Sequence, residues 1–289
     1  MPAVATATLA WYARAARPLP WRAPGTTPWG VYVSEVMAQQ TQVARAAEAW
    51  IEWMRRWPTP AALAASSPAD AVRQWAGLGY PRRALWMHAA AARMVAEHDG
   101  QVPSTDVELR ALPGVGEYTA AAVRAFAYGQ RVPVLDVNVR RVHARLFDGT
   151  ALPGPSITVA ERAHHEAFLP GDAARAARLS QAVMELGALV CTARDPRCGE
   201  CPVAASCRWL AAGRPASAAP ARRQARFEGS DRQCRGALMR VLRAAHGPVP
   251  ASALEAAWGD ALQRARCLDA LVADGLVVPL ARRRFALPA

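Results

Sequence analysis

Along most of the chain apolar residues recur at helical spacing, and only a stretch near the end alternates as strands do. Leu9–Ala16 reads as a short helix that the prolines of Arg17-Pro18-Leu19-Pro20-Trp21-Arg22 end. The pattern then predicts one long helix from about Trp29 to Trp57, with Val31, Val33, Val36, Met37, Val43 and Ala47 on a mixed apolar face. Pro60–Trp75 reads as two short helices and Ala84–His98 as another, with Gly77-Leu78-Gly79-Tyr80 as a bend between them. Further helices are predicted over Thr119–Tyr128, from Val139 through Leu146, over Ala160–Phe168 and over Ala173–Val190. Beyond a basic Ala/Pro/Arg stretch come three helical runs: Arg232–Ala245, Ala251–Trp258 and Ala261–Ala273. Val277–Leu287 reads as a hairpin interrupted by Arg282-Arg283-Arg284.

With 289 residues, the chain is long enough for two domains with a real core. A formal charge of +12 points to a polyanionic partner, although a basic proteome background would give the same figure. All 35 basic residues are Arg. No apolar run approaches the ~18 residues of a membrane span, and Met1–Ala10 lacks the pattern of a signal peptide. The expectation is a cytoplasmic, nucleoid-associated protein with reduced thiols, in which six Cys suggest metal rather than disulfides.

Candidate chemistry concentrates at three places. In Leu112-Pro113-Gly114-Val115-Gly116-Glu117-Tyr118, the glycines allow a tight turn whose amides, at the start of a helix, form a phosphate cradle. Asp136 follows past Pro133, at the start of the next helical run. A helix–turn–helix corner with Asp136 as a plain N-cap accounts for the same residues. Glu35 lies among Val, Met and Ala, where an ionised carboxylate is disfavoured and its pKa should rise; a solvated helix-face Glu is the ordinary alternative. Finally, Cys191-x6-Cys198-x2-Cys201-x5-Cys207 gathers four thiols as one metal site. Spacing alone leaves tetrahedral zinc and a cubane cluster open.

These segments resemble known ones. Leu112–Ala120 resembles the hairpin of the helix-hairpin-helix DNA glycosylases, and Leu135–Val142 their catalytic-aspartate segment, with Val137 where Gly or Thr is usual. Ser34-Glu35-Val36-Met37-Ala38-Gln39-Gln40-Thr41-Gln42-Val43 resembles the corresponding block of MutY-type adenine DNA glycosylases, with Ala38 replacing a Leu. The four Cys match the iron–sulfur motif of the same enzymes without a spacing change. The resemblance covers about residues 9–210.

It implies a mainly α, two-lobed helix-hairpin-helix glycosylase core with a 4Fe–4S loop. One lobe would comprise 1–25 and 133–210 and the other 26–132, followed by a basic linker at 211–230 and a winged-helix-like module at 231–289. It further implies that Glu35 protonates the base, Asp136 faces the sugar, and Tyr118 and Asn138 support Asp136. Cys191, Cys198, Cys201 and Cys207 would bind the cluster. Gln40, Thr41, Leu78, Tyr80, Gly114 and Gly116 would contact DNA, with Tyr80 as a wedge between bases. Arg17, Trp21, Val43 and Gln181 would line the base pocket, where ordinary packing is an equal reading of Arg17, Trp21 and Val43.

The implied partner is double-stranded DNA with adenine opposite 8-oxoguanine or guanine, acted on by a monomer. Tyr118 stands where the bifunctional relatives carry Lys, so a monofunctional enzyme is expected. Two alternatives stay open: a mismatch thymine or uracil glycosylase on the same scaffold, and a non-catalytic iron–sulfur DNA-binding regulator. The tail is too short for the nudix-like domain with which such enzymes usually end, so weaker recognition of oxidised guanine than in those relatives is expected.

Overall fold

A computed structural model describes residues 1–217 and 226–289. The basic linker expected at 211–230 therefore lies in part outside the described residues. In chain order the helices are α1 Pro2–Ala15, α2 Pro28–Ala38, α3 Val43–Arg56, α4 Pro60–Ala64, α5 Pro68–Trp75, α6 Arg82–Glu97 and α7 Asp106–Ala111. They continue with α8 Glu117–Tyr128, α9 Val137–His143, α10 Val159–Phe168, α11 Ala173–Leu189, α12 Arg208–Ala211, α13 Asp231–Ala244, α14 Ala251–Ala257 and α15 Ala261–Ala273. Three short strands, β1 Val249–Pro250, β2 Val278–Leu280 and β3 Arg284–Ala286, form an antiparallel sheet in the order β1-β3-β2. Among the described residues, no helix is long and apolar enough to cross a membrane.

Local chemistry explains where these helices begin. Thr59, Ser67, Asp136, Thr158, Asp172, Ser230 and Asp260 each accept the backbone N–H three residues on, satisfying one orphan donor of the first turn. Helix α7 had no apolar periodicity to announce it. Its signal was Thr105-x-x-Glu108, a reciprocal cap in which Glu108 N donates to Thr105 Oγ1 at 3.3 Å and the Thr hydroxyl donates to Glu108 Oε2 at 2.6 Å.

The long helix expected from Trp29 to Trp57 is two helices, broken at 39–42 where Gln40 takes a left-handed φ of 51°. The break is held by Arg83, whose Nη1 donates to the carbonyls of Val36 and Gln39 at 2.7 Å each. Those are the orphan acceptors of a helix C-terminus, so a side chain distant in sequence decides where α2 stops. The hairpin near the end also differs from expectation. Arg284 is in β3, while Arg282 and Arg283 make the turn with φ of 59° and 50°.

The chain divides into two compact units. Among the described residues, one comprises 1–31, 104–110 and 115–217; the other comprises 32–103, 111–114 and 226–289. This division keeps residues 115–132, with α8, beside 133–217, whereas the sequence reading changed lobe at 132. In the first unit, Val4 of α1, Val139 and Val142 of α9, Phe168 of α10 and Leu179, Val183 and Leu186 of α11 share one buried core. In the second, Trp53 meets the edges of Trp57 and Trp75 at centroid distances of 4.6 and 5.8 Å, alongside fully buried Met37, Leu63, Met87 and Met94.

Within the second unit, α13–α15 and the small sheet form the expected three-helix, basic-winged module. It rests on α5 and α6: Arg73 Nη2 donates to Ala245 O at 3.3 Å, and Arg82 pairs with Asp274 at 3.3 Å.

Candidate active site and iron–sulfur loop

In the first unit the site is built around Asp136. Leu135 is buried, and Asp136 sits at the start of α9 with extended backbone, so its carboxylate caps the helix. Oδ1 accepts Val139 N–H at 2.6 Å and Oδ2 accepts the Asn138 amide at 2.8 Å. Burial raises the Asp136 pKa above the ordinary carboxylate value, opposed by these two donors and by Arg141. Asn138 is itself oriented: its Oδ1 accepts from Arg141 Nη2 at 2.8 Å, and Arg141 also donates to Gly187 O and Cys191 O at 2.7 and 2.8 Å. Helix α11 approaches so closely that a Cβ on Gly187 would lie 2.7 Å from Asn138 Cβ. Tyr118, half-buried in α8, packs on the small core of Ala122, Ala125, Val134 and Ala177.

The hairpin before α8 has the geometry of a backbone grip. Leu112 and Val115 are buried while Gly114 and Gly116 are exposed, and Gly116 caps α8. Gly114 needs to be glycine twice over: its φ is +76°, and a Cβ there would meet Trp86 Cβ at 2.9 Å.

Arg17 and Gln181, expected in a base pocket, are brought together with a residue that the sequence reading missed. Glu185 of α11 is fully buried; its Oε1 accepts Arg17 N and Nε at 3.0 and 2.7 Å, and its Oε2 accepts Arg17 Nη2 and Arg22 Nη2 at 2.9 and 3.0 Å. Burial would raise its pKa, but the Arg17 and Arg22 donors prevail and hold it near about 2. The Tyr12 hydroxyl donates to Gln181 Oε1 at 3.3 Å, and Trp21, between the two arginines in sequence, is half-buried. The signal for Glu185 was an acid inside the apolar run Ala182-Val183-Met184-Glu185-Leu186, which cannot be buried without cationic partners.

In the second unit, Glu35 is half-buried between the buried Ser34 and Val36. Five residues on, the broken helix end presents Gln40 to solvent, and Val43 opens α3 half-buried. Tyr80 is 56% exposed at a left-handed φ of 45°, a backbone strain of the kind that functional positions retain. Leu78, expected on the DNA face, is buried, and its carbonyl accepts from Thr41 and Arg83 at 3.4 Å each. Arg83 is 5% exposed. Besides ending α2 it donates to Thr41 Oγ1 and Gly79 O at 3.3 and 3.1 Å, and its guanidinium lies over the Trp75 ring. One buried cation thus joins the Gln39-Gln40-Thr41 break to the Gly77–Tyr80 bend. Burial pushes its pKa down to about 10, so it stays charged at neutral pH.

The four Cys of the first unit line one small cavity of about 20 Å³, walled by Val190, Trp209 and Leu210. All four thiols therefore face one enclosed space, as ligands of a single metal centre must. Burial raises the Cys201 thiol to about 11, and a cationic iron centre is what would make such thiolates favourable. The donor set fits a 4Fe–4S cluster. Arg145 supports it: Nη1 donates to Cys191 Sγ at 3.4 Å, and its guanidinium stacks over Trp209 at 4.4 Å. Of the loop's basic residues, Arg197 bonds Leu189 O and Glu200, and Arg208 bonds Phe147 O at 2.7 Å, so both brace the loop itself.

Residues 33–163 match the HhH-GPD superfamily of base excision DNA repair proteins, and residues 191–207 match the iron–sulfur binding domain of endonuclease III. The chain is 51% identical to the adenine DNA glycosylase of Mycobacterium tuberculosis over 98% of its own length and 93% of that protein's. It is 49% identical to the adenine DNA glycosylase of Mycolicibacterium smegmatis over 96% and 94%. The human adenine DNA glycosylase shares 41% identity over 69% of this chain and 38% of its own. Among solved structures, a thermostable thymine-DNA glycosylase matches the fold with a TM-score of 0.65 at 22% identity, covering 72% of this chain and 95% of that one. A trapped endonuclease III–DNA intermediate matches at 0.61 and 22%, covering 73% and 95%. The chain belongs to the HhH-GPD superfamily of base excision DNA repair proteins and, within it, to the family of the mycobacterial adenine DNA glycosylases.

Proposed function

We propose that this protein is a monofunctional DNA glycosylase that binds double-stranded DNA and removes adenine mispaired with 8-oxoguanine or guanine, leaving an abasic site. The observation that carries the reading is Asp136, a carboxylate fixed by Val139 N–H and the Asn138 amide at the start of α9, in a chain 51% identical to an adenine DNA glycosylase.

Adenine is a poor leaving group, so the reaction needs a proton on the base and negative charge near the sugar. The Glu35 carboxylic acid donates that proton. The C1′–N9 bond then breaks with its electron pair going to the base, and the Asp136 carboxylate stabilises the positive charge left on the sugar. Water adds at C1′, loses its proton, and completes the abasic product. The base must leave the stack first; Tyr80 on its strained bend enters the gap, and the exposed hairpin amides hold the backbone phosphate. Tyr118 offers no amine for a Schiff base, and no Arg can supply one because it does not deprotonate. The cluster, when bound, holds the 191–207 loop in shape; no chemical step is assigned to it.

Asp136→Asn tests the assignment. Base release should fall by at least 10³-fold while duplex binding persists, and strand nicking by wild type should require added base. Unchanged release in Asp136→Asn, or nicking without base, would reject the reading.

A further inference from the structure

A mostly apolar pocket of about 280 Å³ with a few charged groups on its walls opens in the second unit beside the two strained residues Gln40 and Tyr80. Its volume lies near the lower end of the roughly 300–1,000 Å³ typical of small-molecule sites, room for one flat bicyclic base. Gln40 and Tyr80 come from the helix break and the bend and Arg82 from the start of α6; Arg235, Asp274 and Leu276 come from the C-terminal module. The module therefore contributes walls to a site that the DNA-facing residues open.

The charges on those walls are ordered. Asp274 ends α15 and accepts from Arg82 at 3.3 Å and from Arg235. These bonds occupy two of a carboxylate's roughly four acceptor sites. Arg82 is steadied in turn over the Trp86 ring at 5.2 Å, and the fully buried Leu276 contributes to the same wall. A carboxylate with spare acceptor capacity, flanked by two guanidinium donors, matches one edge of an oxidised purine. 8-Oxoguanine presents N7–H as a donor beside the C8 carbonyl, an acceptor. Guanine presents a bare N7 acceptor there, which a carboxylate repels.

We propose that Asp274 and Arg235 are specificity-determining residues that read the N7–H and C8=O edge of the base opposite the excised adenine. Asp274 accepts N7–H, an Arg donates to O8, and Gln40 and Tyr80 hold the rest of the base. The proposal rests on the adenine-excision reading above and adds to it the part played by the C-terminal module.

The test is the ratio of single-turnover adenine release from duplexes with adenine opposite 8-oxoguanine and opposite guanine, using the full-length, cluster-loaded protein. Asp274→Asn and Arg235→Gln should each lower that ratio about tenfold, the usual scale of one paired base-edge contact. Both rates come from the same preparation, so partial misfolding lowers both and leaves the ratio intact. Arg266→Gln, which breaks an exposed ion pair with Asp231 in the same module, should leave the ratio alone. Fluorescence anisotropy on duplexes carrying a stable abasic analogue opposite 8-oxoguanine or guanine should show the same loss of preference without catalysis. A ratio unchanged in both variants would overturn the proposal, as would wild-type protein that releases adenine equally from the two duplexes; adenine excision would then stand alone. No adenine release from any duplex would instead overturn the underlying reading, and this proposal with it.

Discussion

Asn138 donates its side-chain amide to Asp136 Oδ2 at 2.8 Å while accepting Arg141 Nη2 at 2.8 Å on its own carbonyl oxygen. The residue thereby hands the position of a backbone-braced arginine to the Asp136 carboxylate. Asn138→Ala removes a hydrogen bond to a charged group, worth about 1.5–3 kcal/mol, so base release should fall roughly ten- to a hundredfold. The Asp136 pKa, already raised by burial, should rise further, because a bond favouring its ionised form is lost. Activity needs that carboxylate ionised and fails as pH falls through its pKa. The acid limb of the rate profile should therefore move to higher pH in the variant, which single-turnover rates across pH would show.

Gly187→Ala tests the same arrangement from the other side. The added Cβ would stand 2.7 Å from Asn138 Cβ and 2.9 Å from Asn138 O, so α11 or the start of α9 must shift. Overpacking of this kind costs about 1–3 kcal/mol and should lower Tm by several degrees. Base release should fall beyond what the remaining folded fraction explains, since the displaced residue is the one that orients Asp136. A Tm loss with full activity per folded molecule would refute the link.

Arg83 makes a third case. Its guanidinium is buried and saturates carbonyls of both the α2 end and the Gly77–Tyr80 bend. Arg83→Gln leaves several of those buried acceptors without donors, at about 1–3 kcal/mol each. The expected result is a marked fall in denaturant midpoint together with weaker duplex binding. Arg83→Lys should recover only part of either, because an ammonium lacks the planar fork that spans both segments.

The His143 and His165 rings stack 3.6 Å apart between centroids, both buried. Burial depresses both pKa values, that of His165 to about 4. A depressed folded pKa means that the unfolded chain binds protons more readily. The stability these neutral rings contribute is complete above the unfolded pKa of ~6.5 and is lost as pH falls toward 4. Chemical denaturation between pH 7 and pH 4.5 should show a decline on the order of 2 kcal/mol that His165→Phe reduces. Equal slopes in the two proteins would contradict this.

The family and the local structure of the candidate site were legible in linear sequence because contiguous motifs carry them. Glu35 with the Gln-Gln-Thr block, Gly114-Val115-Gly116, Asp136-Val137-Asn138 and the four Cys each lie within one short segment. Their local geometry follows from caps and turns whose residues are neighbours. What escaped the sequence depends on long-range satisfaction of buried groups. The break at Gln40 requires Arg83, more than forty residues on, to take up the carbonyls that α2 leaves free. Glu185 looks like a helix-face acid until Arg17 and Arg22 are found bonded to it. Leu78 looked exposed because its neighbours are, yet the bend turns it inward. The part that Asp274 plays was unreadable, since its partners Arg82 and Arg235 lie far away in sequence.

The central claim is adenine excision by Glu35 and Asp136. It is tested most directly by single-turnover base release from duplexes holding adenine opposite 8-oxoguanine, adenine opposite guanine, and thymine or uracil opposite guanine. The account predicts adenine release, fastest opposite 8-oxoguanine, with no pyrimidine release and no strand nicking until base is added. Release of pyrimidine alone would contradict the role given to Glu35, and release of nothing would leave a DNA-binding iron–sulfur protein without glycosylase activity.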